Sequence, residues 1–162
     1  MIFRRLAGLR FGLCAVLLSA AVGVQAQSMA PAIIPAPLSF VSTNGRLKVS
    51  DGAVIAYPQS DTDAAFAANY LARIVLRTRG IKLIPRPAGG TSTKGALIVF
   101  RRGAPTEAAA KKDGYDLSVA GKGIEITAAD RGGLFYGAVT LWGMLTADGA
   151  HSGAEASVFY IY

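Results

Sequence analysis

The residues able to do chemistry in this sequence are few. A single histidine, His151, sits among small residues, and the only cysteine is Cys14. Zinc sites usually draw several ligands from those two types, so no metal site is expected. A serine, histidine and aspartate triad would need His151 as its base, and no Gly-x-Ser-x-Gly elbow accompanies it. Residues 89–95 (GGTSTKG) hold glycines, hydroxyls and a lysine. They lack the spacing of a phosphate loop and the helix that must follow one, and they read as a linker. Two carboxylates suffice for sugar hydrolysis, which leaves Asp113, Asp116, Glu125 and Asp130 as candidates. Asp113 and Asp130 are accounted for by a turn and a helix cap. Asp116 and Glu125 fall on the outer, wet face of a hairpin, where solvated acids keep ordinary pKa values unsuited to a general acid near neutral pH. No catalytic, cofactor-binding or metal-ligating residue is assigned.

The elements that would position such groups follow from punctuation and period. Arg4, Arg5 and Arg10 precede an apolar, uncharged run over residues 11–24, and Val24-Gln25-Ala26 ends it with small residues. That order reads as a secretory signal peptide cut before Gln27. The run is too short for a membrane-spanning helix, which needs roughly 20 apolar residues. Cys14 lies inside the run without the small residues that precede a lipidated cysteine. The mature chain is then cysteine-free, which suits a bacterial periplasm or secretion without disulfides. The whole chain carries 17 basic and 10 acidic residues. The leader removes three arginines and no acids, so the mature charge is +4. The remaining bases are scattered, with short pairs at Arg101-Arg102 and Lys111-Lys112. Nucleic-acid binding needs clustering, so neither a nucleic acid nor, after cleavage, a membrane is expected as a partner.

Three prolines, Pro31, Pro35 and Pro37, predict an extended entry strand at a sheet edge. Asn44-Gly45 and Asp51-Gly52 are turn signals, and the runs around them read as a hairpin. Residues 61–79 change to a helical period, with an acidic start, Arg77 and Arg79 at the end, and Gly80 as the stop. Short strands follow at residues 81–84, ended by Pro85 and Pro87, and at 96–100. A loop, or one helical turn at 107–111, leads on. Residues 113–130 alternate on both arms around Gly121-Lys122-Gly123, the clearest hairpin. Asp130 then caps a second helix lined by Leu134, Ala138, Leu141 and Leu145. Glycines at 133, 137 and 143 cost about 1 kcal/mol each against alanine in a helix interior. They are read as making room for helix-on-sheet packing. The fold class is α+β: a mainly antiparallel sheet with two amphipathic helices on one face.

Several stretches resemble a known domain. They are residues 113–119 (DGYDLSV), 123–129 (GIEITAA), 133–141 (GLFYGAVTL) and the opening Ile33-Ile34-Pro35-Ala36-Pro37. Together these resemble the N-terminal, non-catalytic domain of glycoside hydrolase family 20, the β-N-acetylhexosaminidases, across roughly residues 32–145. The resemblance implies an α+β domain packed against a catalytic (β/α)8 barrel in the same chain, and a glycan substrate reached only through that barrel. In the family an adjacent Asp-Glu pair works with the substrate's own 2-acetamido group. No Asp-Glu pair and no His-x-Gly-Gly-Asp-Glu motif occurs in this sequence, and a barrel needs about 250 residues. The organisation expected is a signal peptide at 1–26, the hexosaminidase-like domain at 27–145, and a connecting tail at 146–162. That tail stops before the barrel, as in a truncated gene, a fragment or a frameshift. The chain alone is expected to be inactive. The alternatives are a stand-alone glycan- or protein-interaction module, or the accessory domain of another exo-glycosidase family.

Overall fold

The computed structural model describes residues 40–89, 95–106, 110–147 and 154–161. The expected leader at 1–26, the entry prolines, most of the glycine-rich linker, Glu107 and His151 lie outside the described residues. Among the described residues nine elements run in the order β1 (Phe40–Val49), β2 (Val54–Pro58), α1 (Thr62–Arg79), β3 (Ile84–Ala88), β4 (Ile98–Arg102), β5 (Tyr115–Ala120), β6 (Gly123–Ala128), α2 (Arg131–Thr146) and β7 (Ala154–Ile161). The strands form one sheet ordered β1-β7-β5-β6-β4-β2-β3.

The α+β class holds, but the sheet is mixed rather than mainly antiparallel. The pairings β2 with β3, β2 with β4 and β4 with β6 are parallel. The pairings β5 with β6, β5 with β7 and β1 with β7 are antiparallel. Connection length explains the difference. β5 and β6 are joined by a tight turn, whereas an 18-residue helix lies between β2 and β3. A helical crossover delivers the next strand parallel to the first. β1 and β2 are not a hairpin either, although the connection between them is short. Asp51-Gly52 does turn the chain, with Gly52 at φ 81°, but β1 pairs with β7 instead. Asn44-Gly45 lies within β1, where the register with β7 shifts between Ser42 and Arg46.

The third strand also moves. It begins at Ile84, where the reading from sequence ended it, and includes Pro85 and Pro87. The strand is the last in the sheet, paired only with β2. The Ile84 N–H donates to the Ala53 carbonyl at 2.9 Å, so the alternate positions 85 and 87 face outward, where proline's missing donor costs nothing.

Both helices pack on one face of the sheet. Asp61 caps α1, its Oδ1 accepting from the N–H groups of Asp63 and Ala64 at 3.1 and 3.0 Å. Gly80 closes the helix in the left-handed conformation, φ 70°. Alanines 64, 67 and 68 with Leu71 and Val75 form its buried stripe, and small side chains bring the helix close to the strands. The sheet answers with Ile55, Ile98, Phe100, Leu117, Val119, Ile124 and Ile126, all buried. On α2, Leu134, Ala138, Leu141 and Leu145 are buried as the period requires. Thr140, a buried polar residue, shares a hydrogen bond with the Tyr115 hydroxyl. Burial raises the Tyr115 pKa, and that bond opposes the rise.

The glycines of α2 divide by position. A Cβ on Gly133 would strike the Gly114 carbonyl oxygen and the Ala128 side chain. One on Gly137 would lie 2.5 Å from Ile126 Cγ2, while one on Gly143 would meet nothing within 4 Å. Overpacking a close site typically costs about 1–3 kcal/mol, and alanine is favoured over glycine by about 1 kcal/mol in an open helix site. Gly137→Ala should therefore lower the urea midpoint and Gly143→Ala should raise it. A stabilising Gly137→Ala would refute the close-packing account.

Candidate functional site

The four candidate carboxylates are spread by the fold into four separate roles. Asp130 caps α2: its Oδ1 accepts from the Gly133 N–H at 2.8 Å and its Oδ2 from the Asp113 N–H at 2.9 Å. Those bonds, Gly133's first, hold its carboxyl below the usual range. Asp113 occupies the left-handed region, φ 62°, and its Oδ1 lies against the α carbon of Gly132, where any Cβ would collide. Asp116 anchors the loop after β4, accepting from the Thr106 N–H at 2.6 Å and pairing with its hydroxyl at 2.9 Å. Glu125 stands beside Arg101, with Oε2 2.9 Å from Nε, though not in hydrogen-bond geometry. Asp116 and Glu125 alternate with the buried Leu117, Ile124 and Ile126, which puts them on the face of the sheet away from the helices.

The strongest polar assembly lies elsewhere, where the N-termini of both helices meet the end of β4. Arg102 donates through Nε to Asp61 Oδ2 and through Nη2 to Asp61 Oδ1, both at 2.9 Å. The same Nη2 reaches Asp63 Oδ2 at 3.0 Å, and Nη1 donates to the Ala129 carbonyl at 3.1 Å. Arg131 adds a looser contact to Asp63 at 3.9 Å. A planar guanidinium suits such two-pronged binding of a carboxylate. Asp61 thus caps its helix through Oδ1 and grips Arg102 with both oxygens. Its carboxyl is held below the usual range, chiefly by the bond from Arg102, and Arg102 is raised in turn. Arg102 stood out in the sequence only as half of a basic pair, and nothing local signals a partner 41 residues away.

A second feature is aromatic. Phe135 packs 6.3 Å from Phe66, 4.9 Å from Tyr70 and 5.8 Å from Tyr136, centroid to centroid. The Arg131 guanidinium lies 4.8 Å over the Phe66 ring, a cation–π distance. Phe66 and Tyr136 are 42% and 41% exposed, unusually open for large hydrophobic groups. With Asp113, Arg131, Gly132 and Phe135 they line a shallow depression of about 320 Å3. Phe135 and Tyr136 belong to the stretch that carries the family resemblance, but the resemblance did not reveal their exposure. Phe66 and Tyr70, four residues apart and off the alanine stripe, were the signal available in the sequence.

Among the described residues, no group of three or more histidine, cysteine or acidic side chains is placed to hold a metal ion. No described helix is long and apolar enough to cross a membrane.

Fold and site together define a two-layer α+β domain of the type found in exo-acting hexosaminidases. The Streptomyces plicatus N-acetyl-β-hexosaminidase structure superposes with a TM-score of 0.65 at 27% identity, covering 80% of this chain and 25% of that one. The Vibrio harveyi GH20 exo-β-N-acetylglucosaminidase superposes at 0.63 with 22% identity, covering 80% and 18%. In sequence, the N,N'-diacetylchitobiase of Vibrio harveyi is 28% identical over 135 residues, which are 82% of this chain. Residues 30–158 match glycosyl hydrolase family 20, domain 2, and the chain belongs to that family. It spans 14% of the length of the chitobiase it matches.

The hub makes the domain acid-sensitive in a defined direction. Asp61 and Asp130 have lowered pKa values in the folded state. The stability they add is present above the ordinary carboxylate pKa, near 4, and is lost as pH falls through the lowered values. Thermal unfolding should be flat from neutrality to about pH 5 and fall steeply below about pH 4. Asp61→Ala should cost about 2 kcal/mol at pH 7, from the lost cap and a partly exposed ion pair. That difference should shrink in acid; a deficit constant with pH would contradict the assignment.

Proposed function

We propose that this chain is the non-catalytic accessory domain of an exported bacterial β-N-acetylhexosaminidase. Residues 1–26 are a cleaved signal peptide and 27–145 the domain proper. Residues 146–162 lead on toward a catalytic barrel, and on the way β7 fills the place in the sheet between β1 and β5. The product is then periplasmic or secreted. The enzyme as a whole removes terminal N-acetylglucosamine or N-acetylgalactosamine from glycans, and the domain supports the barrel that does so.

The observation that carries this reading is the match to domain 2 of the family over residues 30–158, in a sequence without an Asp-Glu pair. The carboxylates add to it. Asp61, Asp116 and Asp130 are engaged by backbone or side-chain donors, and the two pKa shifts resolved among them run downward. A general acid working near neutral pH needs a carboxyl shifted the other way. The printed names of the relatives, a chitobiase and hexosaminidases, point to N-acetylated amino sugars as the substrate class of the whole enzyme.

The purified chain should release no chromophore from a p-nitrophenyl N-acetyl-β-glucosaminide above a protein-free blank. Turnover that co-purifies with the chain and survives a change of expression host would sink the accessory reading. In a bacterial host, the exported product should start at Gln27 by N-terminal sequencing. An intact Met1 in the fraction outside the cytoplasm would remove the signal-peptide assignment.

A further inference from the structure

The first and last strands of the sheet meet. β7 fills the place between β1 and β5, and β1 stands at the edge with β7 as its one neighbour. The two ladders of β7 are unequal. With β1 it pairs from Val49 opposite Ala154 to Phe40 opposite Ile161. With β5 it pairs at Leu117 opposite Ile161 and at Ser118 opposite Tyr160. β5 is meanwhile held by β6 along its whole length, from Tyr115 to Ala120. β1 also has a hold of its own on the body, because Val49 is fully buried in the core. β7 is therefore the strand that can leave while its neighbours stay.

We propose that β7 is an exchangeable strand. Residues 154–161 of one copy fill the slot between β1 and β5 of a second copy, and the second copy returns the same strand, which gives a two-fold symmetric pair. The way α2 ends supports this. α1 stops on Gly80 in the left-handed conformation. α2 ends at Ala147 still in the right-handed helical conformation, φ −62° and ψ −30°. Residues 148–153 (DGAHSG) then separate it from β7. No left-handed stop at Ala147 turns the chain back toward the slot of its own copy.

The edges of the slot identify the occupant. Without β7, β1 loses its one partner and β5 shows an open edge, and such edges recruit an extended chain. The β5 edge is not blunted. Its sequence YDLSVA has neither proline nor lysine, unlike β3 with Pro85 and Pro87, and its one charge, Asp116, is taken up by Thr106. A foreign strand is the weaker occupant. It would have to match two ladders at once, follow the register shift between Ser42 and Arg46, and carry an acid where Glu155 stands opposite Lys48. The same segment of a second copy meets all three demands, because it remakes each pairing that the departing strand broke. Exchange of an identical element is for that reason a low-cost route to a closed dimer.

The test uses the whole chain with Cys14→Ser, so that introduced thiols are the only ones. Val41 and Tyr160 are register partners. Val41→Cys and Tyr160→Cys chains, mixed at high concentration and oxidised, should give disulfide-linked heterodimer several-fold above a Lys122→Cys and Tyr160→Cys mixture. Heterodimer no more abundant than in that control would overturn the proposal. Two readouts on the chain without introduced thiols guard against variants that fail to fold. Light scattering should show a dimer fraction that rises with concentration. Hydrogen exchange at low concentration should show the amides of β1 and β7 opening together, several-fold faster than those of β6. Protection of β1 and β7 equal to that of β6 would overturn the proposal, since the slot would then open only on global unfolding. A dimer in which the bridge of the Val41→Cys/Tyr160→Cys double variant stays within each chain would mark a different interface and overturn it as well.

Discussion

The approach of α2 to the β5–β6 hairpin is the constraint on which the rest of the domain depends. Two missing side chains set it. Gly133 lets the helix start against the Gly114 carbonyl, and Gly137 lets it rest on Ile126 beside the Tyr115 ring. Any Cβ at either place would lift the helix off the sheet and open the dense core that Leu134, Ala138 and Leu141 close. The same closeness makes Tyr115 and Thr140 partners. It also holds the 113–114 turn against Gly132, which explains why the turn adopts a left-handed residue there. The stretches at 113–129 and 133–141 that carry the family resemblance are therefore two halves of one packing contact. They identify the domain by how it folds, not by a reaction.

Arg102 does for the helix N-termini what the glycines do for the sheet. It emerges at the end of a parallel strand and gathers Asp61, Asp63 and the Ala129 carbonyl. The last turn before α2 is thereby tied to the first turn of α1. The positive ends of both helix dipoles sit close to one another in this arrangement, and the carboxylates of Asp61 and Asp130 offset them. At the other end of the pair, the Trp142 indole donates to the Thr78 hydroxyl at 3.0 Å. The helix layer is thus pinned at both ends, and its outward side is presented as a rigid surface.

Local features were legible in the sequence, and non-local ones were not. Asp61 and Gly80 bound α1 because a cap and a left-handed stop act within one turn of chain. The hairpin was readable because its period and its turn are contiguous, and its register runs from Tyr115 opposite Ala128 to Ala120 opposite Gly123. Strand direction in the other half was hidden, since the choice between hairpin and crossover rests on which strands meet, and β2 meets β3 and β4 rather than β1. Prolines at 85 and 87 read as a stop because strand propensity does not know an edge from a centre. Of the polar hub, the acidic start at residue 61 was visible, whereas Arg102 acquires its role only when two distant elements converge. Tyr136 lay in plain sight inside a recognised motif, yet exposure is a property of the fold.

The two prolines of β3 have a further consequence. An open strand offers a ladder of donors and acceptors to any extended chain, which is how sheets recruit foreign strands and polymerise. Here the outward donors at alternate positions are chemically deleted rather than covered. That flank is therefore closed to main-chain recognition whatever surrounds it. At this flank another polypeptide must be recognised by side chains, and the domain is protected there against edge-to-edge polymerisation.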